Sequence, residues 1–135
     1  MPTFNRPEDL KRHLKRAMDS FAAEVIVTAQ AELGSAAISP IDTGRLRSSW
    51  FAAEGSSSNE VAPEDANSPN NDAQGLRVDS SKTYHLTSNL PYTQSVALEG
   101  HVVSKPANWF VDFVNVRIPK IQAAAGKLTK ERFEL

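Results

Sequence analysis

Three histidines, His13, His85 and His101, are the chain's candidates for metal ligation or proton transfer, and they fall in three separate stretches. No His-x-x-x-His or Glu-x-x-His pair sets two ligands on one helix face, as a zinc site requires. His101 follows Glu99 by two residues. That spacing allows an acid–base pair in a turn, but a solvated loop histidine is the ordinary reading and the one expected here. With no cysteine, the chain offers no thiolate ligand, no Cys nucleophile and no disulfide.

Other chemistries fare no better. No serine sits in a Gly-x-Ser-x-Gly elbow. The six glycines (34, 44, 55, 75, 100 and 126) never cluster into a phosphate-cradling loop. Asp42-Thr43-Gly44 matches the tripeptide of aspartic proteases, whose carboxylate must lie on a strand hairpin facing a second one. Here a basic, helix-prone segment follows it, GRLRSSW. The residues predict a protein that is not an enzyme, with no metal site and no cofactor.

Composition narrows the class. The chain has 135 residues, 15 Lys+Arg against 16 Asp+Glu, and 40% hydrophobic residues. That length suits one domain, 1–135, with one ordinary core. A net charge of −1 is no electrostatic footprint of a dedicated nucleic-acid binder. No apolar run approaches the roughly 18 residues of a membrane span, and the first residues lack a signal peptide's apolar centre. The expectation is a soluble protein that works or assembles inside a cell.

The elements that must position these residues are legible in outline. Pro7, Glu8 and Asp9 suit a helix start, and Gly34 suits a stop. Between them Leu10, Leu14, Ala17, Met18, Phe21, Val25, Thr28 and Ala29 recur at three- and four-residue steps. A helix over 7–33 would be about 40 Å long. That exceeds the needs of so small a core, so one end should project or pack outside the fold. Lys11, Arg12, Lys15 and Arg16 are assigned to the face away from the Leu10/Leu14/Phe21 stripe, and Arg6 precedes them. They form either a solvated face, with pairs such as Glu8–Arg12, or a basic patch for an acidic partner or for DNA.

A short second helix should begin near Asp42, capped by Asp42 or Thr43, with Gly44 allowing close approach and Leu46 and Trp50 forming one apolar edge. A strand over 50–53 follows. Residues 55–75 then hold four Ser, four Asn, two Pro, four carboxylates and one large apolar residue, Val61. This composition predicts a polar loop insertion, either solvated or ordered on a neighbouring subunit. Segments 76–81 and 82–89 alternate like strands, with Leu76 and Val78 sharing one face and Tyr84 and Leu86 another. Pro106 should open a last helix whose buried stripe is Phe110, Phe113, Val114, Ile118, Ile121 and Ala125, kinked at Pro119. Lys127, Lys130 and Arg132 suit its negative end. The predicted fold is α+β: a long N-terminal helix, a short second helix and a C-terminal helix packed on a small antiparallel sheet.

Two stretches, IDTGRLRSSW and LTSNLPYTQSVALEG, together resemble the signatures of a tailed-bacteriophage family, the small neck or tail-completion proteins similar to the minor tail protein Z group. Pro40, Asp42, Thr43, Gly44, Leu46, Arg47, Ser49 and Trp50 match the first signature. Asn89, Pro91, Tyr92, Glu99, Gly100, Ser104, Lys105 and Pro106 occupy comparable places in the second. The resemblance implies a structural virion protein, assembled in the host bacterial cytoplasm, that completes the tail and joins it to the head. Its partners would be identical subunits in a ring of six or twelve, and adjacent neck, portal-adaptor and tail-tube or terminator proteins. Contact with genomic DNA in the channel would be non-specific. On this reading Asp42, Thr43 and Gly44 orient the short helix, Leu46 and Trp50 anchor it, and Arg45 and Arg47 are exposed toward a neighbour's carboxylates. Tyr92 and Glu99 are core supports or interface contacts. The alternatives are a tail terminator capping the tube, a small nucleic-acid-binding protein using the basic helix, and an enzyme with an unrecognised site.

Overall fold

The computed structural model describes residues 2–35, 45–90 and 109–135. Helix α1 spans Pro7–Leu33, with Pro7 in its first turn and Glu8 and Asp9 at its positive end. It stops where expected, at Gly34. Gly34 has φ −79°, an ordinary right-handed value. What requires glycine there is contact: a Cβ would lie 2.9 Å from the Cβ of Pro69.

Strands β1 (Phe51–Glu54) and β2 (Tyr84–Thr87) pair antiparallel, with Ala52 opposite Leu86 and Ala53 opposite His85. Gly55, at φ +83°, turns the chain out of β1 and its N–H bonds the Thr83 carbonyl at 2.8 Å. The long excursion between the strands contains one 3₁₀ turn, Asp72–Gly75. The strand expected over 76–81 does not form. Asp79 Oδ1 accepts both the N–H and the hydroxyl of Ser81, and the Lys82 N–H bonds the Asp79 carbonyl. These local bonds satisfy the backbone as a turn and compete with a ladder.

The last helix comprises α2 (Trp109–Asp112), a π-helical segment (Phe113–Arg117) and α3 (Ile118–Phe133). The expected irregularity at Pro119 thus appears one turn earlier. Pro119 has no N–H for the Asn115 carbonyl, and its ring would crowd that oxygen in a regular helix. The chain widens instead, and the Ile118 N–H bonds Phe113 O, five residues back. This extra residue corrects the expected stripe: Phe113 takes the core position at 3% exposure, while Val114 turns out to 45%.

The architecture is α+β, as expected, although the helices pack chiefly on each other, α1 against α3. They run antiparallel: Glu32 meets Arg117, Ser20 meets Arg132, and His13 meets Phe133. The expectation of a projecting α1 is therefore corrected. The last helix runs back along α1 and covers its N-terminal half. It does so on the His13/Ala17 side, so Leu14 and Met18, expected in the buried stripe, stay exposed. The core gathers Ala29, Leu33, Leu46, Trp50, Leu90, Trp109, Phe113 and Ile121. Trp50 stacks on Phe110 with ring centroids 5.6 Å apart. Among the described residues, no helix is long and apolar enough to cross a membrane.

Candidate functional site

Residues 45–50 carry the described part of the first signature. They form a turn rather than the expected helix, with Ser48 and Ser49 N–H groups bonding the Arg45 and Leu46 carbonyls. Ser49 is fully buried, and its hydroxyl donates to the Arg45 carbonyl. A hydroxyl so placed replaces a helical backbone bond, which accounts for the tight turn. Leu46 and Trp50 are buried anchors as predicted. Asp42, Thr43, Gly44, Tyr92 and Glu99 lie outside the described residues, as do Pro106 and His101.

Arg45 and Arg47 are less exposed than expected, and their described partners lie within the chain. Both are half-buried and turned inward on the polar loop. Arg45 donates Nε and a terminal NH2 to the Ala62 carbonyl at 3.1 and 2.9 Å, and Arg47 donates to the Asn67 carbonyl at 3.2 Å. Asn89, from the second signature, donates to the Ser58 and Glu60 carbonyls at 2.6 and 3.0 Å. Both signatures thus hold one loop. Their polar side chains supply the partners that a loop without a ladder lacks.

Gln30 was not singled out by its sequence pattern. Its Nε2 donates to the Trp50 carbonyl at 2.9 Å and to Asp72, and its Oε1 accepts the Ala73 N–H at 2.9 Å. Asp72 also accepts the Ala52 N–H at 3.1 Å. One buried amide therefore joins α1, the start of β1 and the far end of the loop. The available signal was a polar residue beside Ala29 and three positions before Leu33, inside an apolar stripe.

The basic face of α1 is largely matched within the chain. Asp9 accepts hydrogen bonds from Arg6 and Arg12, so the expected Glu8–Arg12 pair is replaced by Asp9–Arg12. Those guanidiniums hold the Asp9 carboxyl below its ordinary range. Lys15 bonds Asp19 and, at 2.7 Å, Asp79. Both carboxyls are lowered, first by Lys15 and then by N–H groups of Ser80 and Ser81, and Lys15 is raised by the same two contacts. A depression of about 470 Å³ here is lined by Phe4, Asp9, Arg12, Lys15 and Arg16. Lys11 and Arg16 make no ion pair among the described residues. By its three-residue step to Leu14, Lys11 borders the Leu14/Met18 side rather than the opposite face assigned to it.

A second concavity is of another kind. An open groove of about 330 Å³ between α1 and α3 is walled by Leu14, Met18 and Phe21 on one side and Gly126, Lys130 and Leu135 on the other. Met18 is 57% exposed there. Glu134 adopts a left-handed conformation, φ 56°, and the Leu135 N–H returns to the Lys130 carbonyl at 2.9 Å, folding Leu135 over the groove.

His13 does not form a reacting pair. Its Nε2 donates to the Phe133 carbonyl at 2.8 Å, and its ring packs on Phe4 and Phe133. A carbonyl can only accept, so the proton sits on Nε2. Among the described residues no cluster of His, Asp and Glu could hold a metal ion. No known protein family, curated protein or solved structure matches this chain.

Proposed function

We propose that this chain is a structural protein of a tailed-phage neck, which completes the tail and joins it to the head as a ring of six or twelve identical subunits. The observation that carries this reading is the open groove between α1 and α3, where Leu14 and Met18 stay exposed beside Phe21 and Leu135. Apolar side chains gathered in one concavity favour a protein partner over water. The two signature stretches supply the neck assignment, and the structure gives their described polar residues one shared task, bracing the loop. A tail terminator is the nearest alternative and would use the same surfaces. The nucleic-acid reading draws less support, because Arg6, Arg12 and Lys15 are already bound to carboxylates of this chain.

Native mass spectrometry of the full chain tests the ring: the expected spectrum contains a closed hexamer or dodecamer. A strict monomer that never enters a particle counts against it. Duplex-DNA binding that stays tight above physiological salt would favour the nucleic-acid reading.

A further inference from the structure

The polar loop carries one large apolar side chain, and the fold holds it outward. Val61 is 49% exposed, whereas the next residue, Ala62, is 3% exposed and packed into the protein. The carbonyls on either side of Val61 are both gripped: Glu60 by Asn89 and Ala62 by Arg45. An exposed valine on a chain this firmly braced is pre-organised, so seating it elsewhere costs little ordering entropy. Within four residues of it in sequence are the exposed carboxylates of Glu60, Glu64 and Asp65, none in an ion pair among the described residues.

The groove between α1 and α3 has the opposite character. Its floor is apolar, and Lys130 on its wall and Lys11 one turn before Leu14 carry charges without an ion-pair partner among the described residues. An apolar tip between carboxylates thus answers an apolar groove between ammonium groups.

The two features lie toward different ends of α1: Arg45 holds Ala62, next to Val61, and Arg47, two residues on, has its carbonyl beside Gly34. Pro69 and Arg47 hold the loop against Gly34, at the C-terminal end of α1. The groove lies at Leu14–Phe21, on the order of 20 Å away at 1.5 Å per residue. Two different surfaces that complement each other but lie toward different ends of α1 make a head-to-tail contact, the kind that closes into rings.

We propose that the Val61 tip of one copy seats in the α1–α3 groove of the next, with Glu60 and Glu64 facing Lys11 and Lys130. This contact rests on the ring reading above and names its interface.

The chain has no cysteine, so single thiols report cleanly. Val61→Cys mixed with Met18→Cys under mild oxidation should give a disulfide-linked pair. Val61→Cys mixed with Ala124→Cys, an exposed position on another side of α3, should not. Charge reversal gives an independent arm. Glu60→Lys with Glu64→Lys, and separately Lys11→Glu with Lys130→Glu, should each lose the ring, and an equal mixture of the two should restore an alternating ring. Far-UV circular dichroism checks that each exposed-site variant keeps its fold. Rings that persist in Val61→Asp, or thiols that link no better at 18 than at 124, overturn the contact and leave the ring reading standing. A wild-type chain that stays monomeric and a pair that never cross-links sink both.

Discussion

The Gln30 side chain, 1% exposed on α1, accepts the Ala73 N–H at 2.9 Å across 43 positions of sequence. The same amide donates to the Trp50 carbonyl. A single polar group therefore ties the entry into β1 to the far end of the loop. Arg45, Arg47 and Asn89 hold the stretch between. The loop is ordered from its ends and its middle by side chains, in place of an apolar core of its own.

Replacing Gln30 by Met keeps the volume and removes all of these bonds, leaving the Ala73 N–H and the Trp50 carbonyl unsatisfied. Each such buried group costs about 1–3 kcal/mol. The expected result is a stability loss of about 2–6 kcal/mol, read as a lower urea midpoint with an unchanged slope. Gln30→Glu should be worse at neutral pH, because it cannot donate to Trp50 and sets a carboxylate beside Asp72. An unchanged midpoint in Gln30→Met would remove the amide from its central place.

Gly34 is a matter of space rather than backbone freedom. Gly34→Ala puts a methyl group 2.9 Å from the Pro69 Cβ and 3.4 Å from the Arg47 carbonyl. Overpacking of this kind costs about 1–3 kcal/mol. Pro69→Gly in the same chain removes the opposing Cβ and should recover part of that loss, a coupling that a double-mutant cycle measures. Independent, additive losses would show that the two residues do not touch.

Legibility in the sequence followed how local each cause was. The bounds of α1 were readable because proline, acidic residues and an apolar stripe all act within one segment. Strand β1 was readable to within a residue, and Leu46 and Trp50 were recognised as anchors. The turn at 79–82 is hidden by the period-two alternation of LRVDSS, which masks the local bonding of Asp79 and Ser81. For Arg45 and Arg47, charge alone suggests solvent. Their true partners are backbone carbonyls 17 and 20 positions away, which no spacing rule encodes. The α1–α3 groove was hidden for a related reason: helical periodicity places Leu14 and Met18 on an apolar face, but only the path of α3 decides which part of that face is covered.

Acid stability should depend on Lys15. Asp9, Asp19 and Asp79 all have lowered pKa values in the folded chain. The unfolded state then binds protons at higher pH than the folded state does. Stability from these groups is complete above the ordinary carboxyl value of 3.8 and drains away as pH falls below it, through the folded-state values. Lys15→Met removes the leading cause at Asp19 and Asp79 together, so the acid limb of a midpoint-against-pH curve should flatten. Lys15 itself is raised, so its own contribution is complete below 10.5 and fades as pH climbs beyond that. All three sites are solvent-facing, and salt near 1 M, with a Debye length of about 3 Å, should shrink both limbs. An acid limb identical in Lys15→Met and wild type, at low salt, contradicts this assignment.

The π-helical segment makes a prediction that a regular helix reverses. Phe113 and Ile121 are eight residues apart, which in an α-helix leaves them about 80° out of line. The extra residue of the π turn makes them behave as if seven apart, close to two full turns, and both are 3% exposed. Phe113→Ala should therefore cost about 3–5 kcal/mol, while Val114→Ala should stay within about 0.5 kcal/mol. A regular helix through Val114, Ile118 and Ile121 predicts the reverse order. Deleting exposed Asn115 together with Pro119→Ala provides a second arm. In an ordinary helix, one lost residue turns everything downstream by 100° and strips the core contacts. Here it converts the π turn to α-helix with Phe113 and Ile121 still aligned, so the variant should fold cooperatively with undiminished helical dichroism. A molten or aggregated product would mean that the widened turn does more than absorb one residue.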